Sequence, residues 1–191
     1  MKLCLGAGKR PMEGYVNLDM VALPGIDAVF NLEECATKRL PFDDDTFDEL
    51  YASHVLEHIT NILPLMQELH RVTKPGGQFL ARVPYGSSDD AFENPTHIRY
   101  FFLNSFQYFA QPIYHREDYG YRGDWKSTIR LLIYPKVYDC YGGDKDKLIA
   151  SINCERNVVA EMQAYLTAVK PIRPMDKSLQ DDLMVDLLRN A

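Results

Sequence analysis

The chain has 191 residues, a formal net charge of −6, 46% hydrophobic residues and a sequence pI of about 5.3. This length corresponds to one domain, with room for a small appendage. An acidic chain lacks the clustered positive surface that nucleic-acid binding requires, so we expect no nucleic-acid partner. No apolar run approaches the roughly 20 residues that span a bilayer, so we expect no membrane partner.

The four cysteines, Cys4, Cys35, Cys140 and Cys154, are widely separated and include no C-x-x-C pair. This spacing argues against a zinc ribbon and is typical of a protein with reduced thiols. The first six residues do not have the shape of a secretory signal. We therefore expect a cytoplasmic protein, while the chain length leaves the oligomeric state open.

Short strands and helices alternate over the first hundred residues. The apolar pattern predicts strands at residues 3–5, 15–19, 28–30, 47–52 and 78–83. Before the last of these, apolar residues at helical spacing predict an amphipathic helix within residues 59–72, which ends at Lys74-Pro75-Gly76-Gly77. Such alternation is typical of the α/β class, with a largely parallel sheet covered by helices.

The second half of the chain is less regular. Alternating apolar residues from Trp125 to Ile133 predict a strand, one arm of an antiparallel pair. Apolar residues at helical spacing predict a helix over residues 158–169 and a final helix that begins at Ser178. We expect these last helices to be packing elements or an interaction surface.

Glycines follow the first strand directly, in the segment Leu3-Cys4-Leu5-Gly6-Ala7-Gly8. Without a Cβ atom, the backbone of Gly6 and Gly8 can approach a ligand closely. In a parallel sheet this turn lies at the carboxyl ends of the strands, where ligands bind. A dinucleotide-binding fingerprint would have a third glycine opening a helix, but Arg10-Pro11 stands there, so a classical dehydrogenase is disfavoured.

Asp19 ends the second predicted strand. A carboxylate at this position can accept hydrogen bonds from both hydroxyls of a ribose, although a solvated aspartate at a strand end is an equally plain interpretation of this residue alone. Only ten residues separate Gly8 from Asp19, too few for a crossover helix between parallel strands. The connection is therefore predicted to be a loop or a single turn.

Six segments stand in a characteristic order and spacing: Gly6-Ala7-Gly8, Asp19, Leu40-Pro41-Phe42, Phe47-Asp48, His54-Val55-Leu56-Glu57-His58 and Arg71-Val72-Thr73-Lys74-Pro75-Gly76-Gly77. Together they resemble class I S-adenosylmethionine-dependent methyltransferases, and more narrowly the small methyltransferase-like proteins with a short glycine loop. The resemblance covers about residues 3–105 and implies a Rossmann-like fold. Pro95-Thr96-His97-Ile98-Arg99-Tyr100-Phe101 is similar to a later segment on the substrate side of these proteins.

The resemblance implies a binding site for S-adenosylmethionine, with S-adenosylhomocysteine as the product. Gly6, Ala7 and Gly8 would face the methionine and ribose part of the cofactor. Asp19 would hold the ribose hydroxyls and Met20 would lie against adenine. Asn31, in place of the family's usual aspartate, would accept a hydrogen bond from the adenine amino group, and the Leu32 N–H would meet a ring nitrogen of adenine. Ser53 and His54 would lie at the methionine end.

The segment from His54 to His58 has a second interpretation. His54-x-x-Glu57-His58 also spells the inverted zinc-peptidase motif, in which two histidines and a glutamate share one face of a helix. That chemistry needs the motif inside a helix and a third ligand from a later helix. Here the motif follows a predicted strand immediately, so the sequence disfavours zinc hydrolysis, favours a structural role for Glu57 and His58, and predicts no metal.

The segment around His97 and Arg99 follows the fifth predicted strand by about ten polar or small residues, a stretch that can form a lid. Methyl transfer from a sulfonium needs a general base only when the acceptor must lose a proton. His97 is the first candidate for that base and His54 the second. Hydrogen bonding of His97 within its loop, and pairing of Arg99 with a surface acid, are equally good interpretations.

The sequence as a whole predicts an S-adenosylmethionine-dependent methyltransferase acting on an unidentified acceptor. A small molecule is expected first and a protein side chain second. A zinc-dependent hydrolase and a non-catalytic binding module built on the cofactor fold are the alternatives. The expected organisation is a cofactor-binding domain over residues 1–150 and a C-terminal helical extension, residues 151–191, packed on it.

Overall fold

The computed structural model describes residues 1–190, which form one mixed sheet of eight strands flanked by short helices. The strands are β1 (Lys2–Leu5), β2 (Val16–Asp19), β3 (Ala28–Val29), β4 (Phe47–Ser53), β5 (Thr73–Pro84), β6 (Trp125–Ile133), β7 (Val159–Ala168) and β8 (Met184–Arg189). The α-helices are α1 (Ile62–Val72), α2 (Asp89–Glu93), α3 (Pro135–Cys140) and α4 (Lys145–Cys154). Short 3-10 turns lie at Leu32–Ala36, Leu56–His58, Ser105–Phe109, Gln111–His115 and Lys177–Leu179.

The strands lie in the order β3-β2-β1-β4-β5-β7-β6-β8. The first five are mutually parallel, whereas β7 is antiparallel to both of its neighbours, β5 and β6. The predicted α/β class, mostly parallel sheet and antiparallel pair are confirmed. The carboxyl ends of β1, β2, β3 and β4 meet at one edge of the sheet, so the segments that follow these strands are neighbours there.

The connection between β1 and β2 is a loop, as the short spacing predicts. The buried Asn17 side chain holds this loop: its Oδ1 accepts from the Met12 N–H (2.7 Å) and its Nδ2 donates to the carbonyls of Met12 and Tyr15 (both 3.1 Å). Asp27 accepts from the Asn17 backbone N–H at 2.8 Å. The β1–β2 connection is therefore held by hydrogen bonds of the Asn17 side chain and contains no crossover helix.

Helix α1 covers one face of the parallel strands. Its residues Leu65, Met66, Leu69 and Val72 are fully buried, in agreement with the predicted amphipathic pattern. The core continues to the antiparallel side of the sheet, where the fully buried Trp125 ring of β6 packs near Phe79 of β5 and His70. The parallel and antiparallel parts of the sheet therefore share one core.

The predicted helices over residues 158–169 and from Ser178 onwards are wrong. The first segment is strand β7, which lies between β5 and β6 inside the sheet. Its buried residues alternate through Met162, Ala164, Leu166 and Ala168, but two of these are small alanines, so the period of two is weak in the sequence. The bulkier apolar residues of the segment also satisfy helical spacing.

The final segment is the edge strand β8, which pairs in parallel with β6. None of its residues is fully buried, so its sequence need not alternate strongly between apolar and polar residues. Only a 3-10 turn at Lys177–Leu179 forms where the final helix was predicted. The expected helical extension over residues 151–191 is thus wrong in its secondary structure: within the described part of this segment only the end of α4 and that 3-10 turn are helical, and β7 is an integral strand of the sheet.

Candidate active site

The glycine turn after β1 is shaped by two residues with positive φ, Gly6 (61°) and Gly8 (54°). A Cβ atom on Gly6 would lie 2.5 Å from Cγ2 of Val55, closer than real contacts allow. The Ala7 N–H donates to the Leu18 carbonyl at 3.1 Å, which ties the turn to β2. Glycine is therefore needed at position 6 both for its backbone conformation and for the close approach of Val55.

We expect Gly6→Ala to destabilise the fold more than Gly14→Ala does. Both glycines have positive φ, so both substitutions carry the left-handed cost of about 1–2 kcal/mol. Only Gly6 adds a clash, since a Cβ on Gly14 would meet no atom within 4 Å. Urea unfolding of the two variants measures the difference, and equal losses would show that the contact with Val55 relaxes without cost.

The carboxylate of Asp19 turns toward the glycine turn. Its Oδ2 accepts from the Gly8 N–H at 2.9 Å and its Oδ1 from the Val21 N–H at 3.0 Å. A carboxylate has about four lone-pair sites, so both oxygens keep the capacity to accept a further hydrogen bond. Met20, the next residue, is 64% exposed, which leaves an apolar side chain in solvent beside this carboxylate.

Asn31 follows β3 and caps the 3-10 turn at Leu32–Ala36. Its Oδ1 accepts from the Glu33 N–H at 3.1 Å, so one of its two lone pairs is used within the chain. Leu32 is buried beneath this turn. The sheet order places Asn31 one strand beyond Asp19 at the same edge, as the predicted cofactor site requires.

Ser53 ends β4 half-buried, and His54 follows it in the left-handed conformation, with φ of 54°. The His54 side chain is 42% exposed; its Nε2 lies 3.4 Å from Glu161 Oε2 and its Nδ1 lies 3.3 Å from Glu57 Oε1. The interaction with Glu161, followed by that with Glu57, raises the pKa of His54 to about 10. The imidazole is therefore a cation at neutral pH.

Glu161 lies on β7 between two cationic partners. Arg82 of β5 donates to it through Nε (2.9 Å) and Nη2 (2.8 Å), and His54 approaches from the end of β4. Burial alone would raise the pKa of Glu161, but its hydrogen bonds to His54 and Arg82 outweigh burial and lower the pKa to about 2. No sequence pattern indicates this cluster, because Glu161 lies in a segment predicted to be helical.

Glu161→Gln is expected to destabilise the fold most at neutral pH and progressively less in acid. A carboxyl group whose pKa falls from 4.5 to about 2 on folding contributes stability above pH 4.5, and this is lost as pH falls toward 2. The shift corresponds to at most about 3 kcal/mol. Urea unfolding of both proteins from pH 7 to pH 3 tests this, with Glu13→Gln, an exposed loop glutamate, as the control. A difference that does not change with pH would contradict it.

His97 is held inside its segment. Its side chain is only 6% exposed, its Nδ1 faces the Ala91 carbonyl at 3.3 Å, and its Nε2 lies 3.9 Å from Glu57 Oε1. The following residues are attached to the β4–α1 connection: the N–H groups of Ile98 and Arg99 donate to the Glu57 carbonyl at 3.0 and 3.2 Å. The segment around His97 is thus docked on that connection by backbone hydrogen bonds.

The His54-x-x-Glu57-His58 motif does not form the helix that a zinc-peptidase site needs. His54 has positive φ, and Leu56–His58 is a single 3-10 turn before α1 begins at Ile62. The two histidines therefore do not share one face of an α-helix. The zinc-peptidase alternative lacks its structural basis here.

A cavity of about 860 Å³ opens beyond the carboxyl end of β5. It lies between the 99–109 segment, the start of α1 and the end of α4, and it is rich in aromatic rings. The aromatic residues lining it are Tyr85, Tyr100, Phe101, Phe102, Tyr108 and Phe109. Phe101 and Phe109 are buried, whereas Tyr100, Phe102 and Tyr108 are exposed.

Comparison with known proteins finds a domain match in the N-terminal half of the chain. A family model described as a methyltransferase domain matches residues 17–81, from β2 into β5. The sterol 4-C-methyltransferase of Caenorhabditis elegans is 32% identical over 94 residues, which cover 49% of this chain and 28% of that protein. The mitochondrial 2-methoxy-6-polyprenyl-1,4-benzoquinol methylase of Mus musculus is 39% identical over 90 residues, 47% of this chain and 24% of that protein.

The chain thus spans about a quarter of the length of these two relatives. The crystal structure of an S-adenosylmethionine-dependent methyltransferase from Archaeoglobus fulgidus superposes with a TM-score of 0.57 at 15% identity, covering 87% of this chain and 85% of that one. This structural similarity shows which fold the chain adopts. The chain therefore shares its fold with this methyltransferase, and its residues 17–81 match a methyltransferase domain.

Proposed function

We propose that this protein transfers the methyl group of S-adenosylmethionine to a small, largely apolar acceptor. The observation that carries the proposal is the Asp19 carboxylate, which turns toward Gly8 and has the exposed Met20 beside it. A carboxylate that projects beside a glycine turn at the carboxyl edge of parallel strands suits a ribose, and an adjacent exposed thioether suits a purine ring.

The residues present fit this cofactor. Gly8 has positive φ, and a Cβ atom there would meet no atom closer than 4.0 Å, so a ligand can approach the backbone of the turn at Gly8. We propose that Gly6, Ala7 and Gly8 bind the methionine and ribose portion, Asp19 the ribose hydroxyls and Met20 the adenine face. The free lone pair of Asn31 Oδ1 and the N–H of Leu32 are proposed for the adenine edge, and Ser53 and His54 for the methionine end.

The cofactor supplies a methyl group activated by a sulfonium, so the acceptor's lone pair forms the new bond to the methyl carbon as the carbon–sulfur bond breaks. The protein's main task is to align the acceptor with this carbon and to exclude water. His54, as an exposed cation at the end of β4, suits the carboxylate of the cofactor's methionine portion.

A general-base role for His97 or His54 stays a prediction, and the surroundings of both residues disfavour it. His54 holds its proton well above neutral pH because two glutamates face it. His97 is nearly buried and its Nδ1 is directed at the Ala91 carbonyl. An acceptor that needs no prior deprotonation, or that is already ionised, is consistent with this arrangement.

The acceptor is proposed to bind in the cavity of about 860 Å³ lined by Tyr85 and the 99–109 segment. Its aromatic lining suits an apolar ring or chain. Two relatives, each matched over about half of this chain, are named for sterol and polyprenyl-benzoquinol methylation, which favours the same chemical class. The acidic net charge argues against a nucleic-acid acceptor.

Among residues 1–190 no helix has the length and apolar character to cross a membrane, and the cytoplasmic location stays a prediction.

Calorimetric titration with S-adenosylmethionine and S-adenosylhomocysteine tests the proposal. We expect saturable binding of one equivalent of each ligand, with dissociation constants in about the micromolar range typical of cofactor sites. Absence of heat at millimolar ligand would contradict cofactor binding. Binding without transfer of labelled methyl to quinol, phenol or sterol acceptors would instead favour the non-catalytic binding module.

A further inference from the structure

Three potential metal ligands converge between the β4–α1 connection and the segment after α2. Glu57 and His58 come from the 3-10 turn that follows β4, and His97 comes from the segment docked on it. One ligand atom of each residue lies within 4.8 Å of the others. The rings of His58 and His97 are in contact, with centroids 4.8 Å apart. Residues far apart in sequence are thus brought to one point.

The Glu57 carboxylate in this cluster is buried and makes no hydrogen bond to residues 1–190. Its side chain is 1% exposed, and neither Oε1 nor Oε2 has a hydrogen-bond partner among residues 1–190. His54 Nδ1 lies 3.3 Å from Oε1, yet without hydrogen-bond geometry. A buried carboxylate without hydrogen bonds is costly. The His54 imidazolium is near Oε1 but makes no hydrogen bond to it, so both carboxylate oxygens can still bind a second cation.

In His58 and in His97 the second ring nitrogen, Nε2, makes no hydrogen bond to residues 1–190. Nδ1 of His58 faces the carbonyl and hydroxyl oxygens of Thr96 at 3.1 and 3.0 Å, and Nδ1 of His97 faces the Ala91 carbonyl at 3.3 Å. An Nδ1–H donated to a backbone carbonyl leaves Nε2 with its lone pair. This second hydrogen bond is the one that fixes the tautomer and orientation of metal-binding histidines.

We propose that Glu57, His58 and His97 bind a divalent transition-metal ion of the Zn²⁺ type. Two imidazole nitrogens and one carboxylate oxygen are ligands that Zn²⁺ favours, and they discriminate against Mg²⁺. His97 Nε2 and Glu57 Oε1 are 3.9 Å apart, too far for a hydrogen bond. Ligands at 2.0–2.1 Å from a tetrahedral zinc lie about 3.3 Å apart, so a small side-chain movement closes the site.

Such an ion would join the β4–α1 connection to the 94–99 segment next to the aromatic cavity, and three protein ligands would leave a coordination position open. It differs from the zinc-peptidase set of the sequence motif, because His97 replaces His54 and no helix is involved. The site does not depend on methyl transfer, so its binding test is independent of the proposed activity.

The test is a titration of the chelator-treated full chain with Zn²⁺ in competition with a chromophoric chelator. The exposed thiols Cys140 and Cys154 are first replaced by serine, to remove adventitious zinc binding. We expect one equivalent of Zn²⁺ to bind and to raise the unfolding temperature, Co²⁺ to bind with a visible spectrum of nitrogen and oxygen ligation, and Mg²⁺ not to compete.

Glu57→Gln, His58→Gln and His97→Gln, tested separately, should each weaken Zn²⁺ binding by more than about 100-fold, beyond the 10–100-fold typical of losing an outer-shell partner. His115→Gln is the matched control, since His115 Nδ1 also faces a backbone carbonyl, that of Pro112 at 3.2 Å. A parent protein without a one-equivalent site, or Zn²⁺ binding unchanged in every folded ligand variant, overturns the proposal. If one variant does not fold, the other two and the thermal shift of the parent decide.

Discussion

Asp19→Ala is expected to weaken binding of S-adenosylhomocysteine by at least about 100-fold. The substitution removes the acceptor of two proposed ribose hydrogen bonds, each worth about 1.5–3 kcal/mol when the acceptor is charged. It also releases the Gly8 N–H, which Asp19 holds at 2.9 Å, so the glycine turn loses part of its support. Isothermal titration of the parent and the variant under identical salt and pH measures the loss.

The control for this experiment is Asp27→Ala. Asp27 also accepts a backbone N–H of the β2 region, that of Asn17 at 2.8 Å, but it lies outside the proposed site. A general loosening of the β1–β2 loop would weaken binding in both variants, whereas loss of ribose contacts would weaken it in Asp19→Ala alone. An affinity of Asp19→Ala within a few-fold of the parent would falsify the ribose assignment.

The parallel half of the sheet could be predicted because its first strands are short and bounded by strong turn residues. Gly6 and Gly8 end β1, and the Lys74-Pro75-Gly76-Gly77 segment follows α1. The β5 strand nevertheless begins at Thr73, so the segment expected only to end the helix also lies within a strand. The turn residues therefore predicted the end of α1 correctly but placed the start of β5 too late.

The antiparallel half shows why alternation alone is insufficient. In β6 the inward positions are large, among them Trp125, Ile129 and Leu131, and the strand was predicted with its observed bounds. In β7 alanines occupy two inward positions, Ala164 and Ala168, so hydrophobicity no longer distinguishes a period of two from helical spacing. Pairing with β5 and β6 on both sides decides the structure of β7, and that information is not local.

The same limit applies to the candidate site. The proximity of Asp19 to the glycine turn could be predicted because both lie at the ends of adjacent parallel strands. The charge of His54 could not, because it depends on Glu161, which is brought to the end of β4 only by the β5–β7 register that pairs Pro84 with Glu161. The partners of His97 likewise come from the docking of its segment on the Glu57 carbonyl.

Asp124→Ala is expected to lower the free energy of unfolding by about 3–5 kcal/mol, the typical cost of removing one partner of a buried ion pair. Asp124 is fully buried just before β6 and accepts from the Arg173 Nε and Nη2 (both 2.8 Å) and backbone N–H (3.0 Å). It also accepts from the Gln111 N–H at 3.2 Å. Equilibrium urea denaturation measures the loss.

The exposed pair Asp118–Arg122 provides the control. Arg122 donates to Asp118 through two nitrogens at 2.9 and 2.8 Å, so the contact geometry resembles that of the buried pair, but both side chains are in solvent. Asp118→Ala should leave the denaturation midpoint nearly unchanged, since exposed ion pairs contribute little. Comparable losses in the two variants would show that burial does not govern the Asp124 contribution.

A double variant separates the loss of attraction from the cost of the charge left behind. The Arg173 side chain is 19% exposed beside Asp124, and in Asp124→Ala its remaining carboxylate partner is Asp181, at 2.6 Å. Adding Arg173→Met removes that charge, so Asp124→Ala/Arg173→Met should be more stable than Asp124→Ala alone. That recovery would show that much of the loss in Asp124→Ala comes from the Arg173 charge that no longer faces Asp124. A double variant that is less stable would show instead that Arg173 contributes by packing.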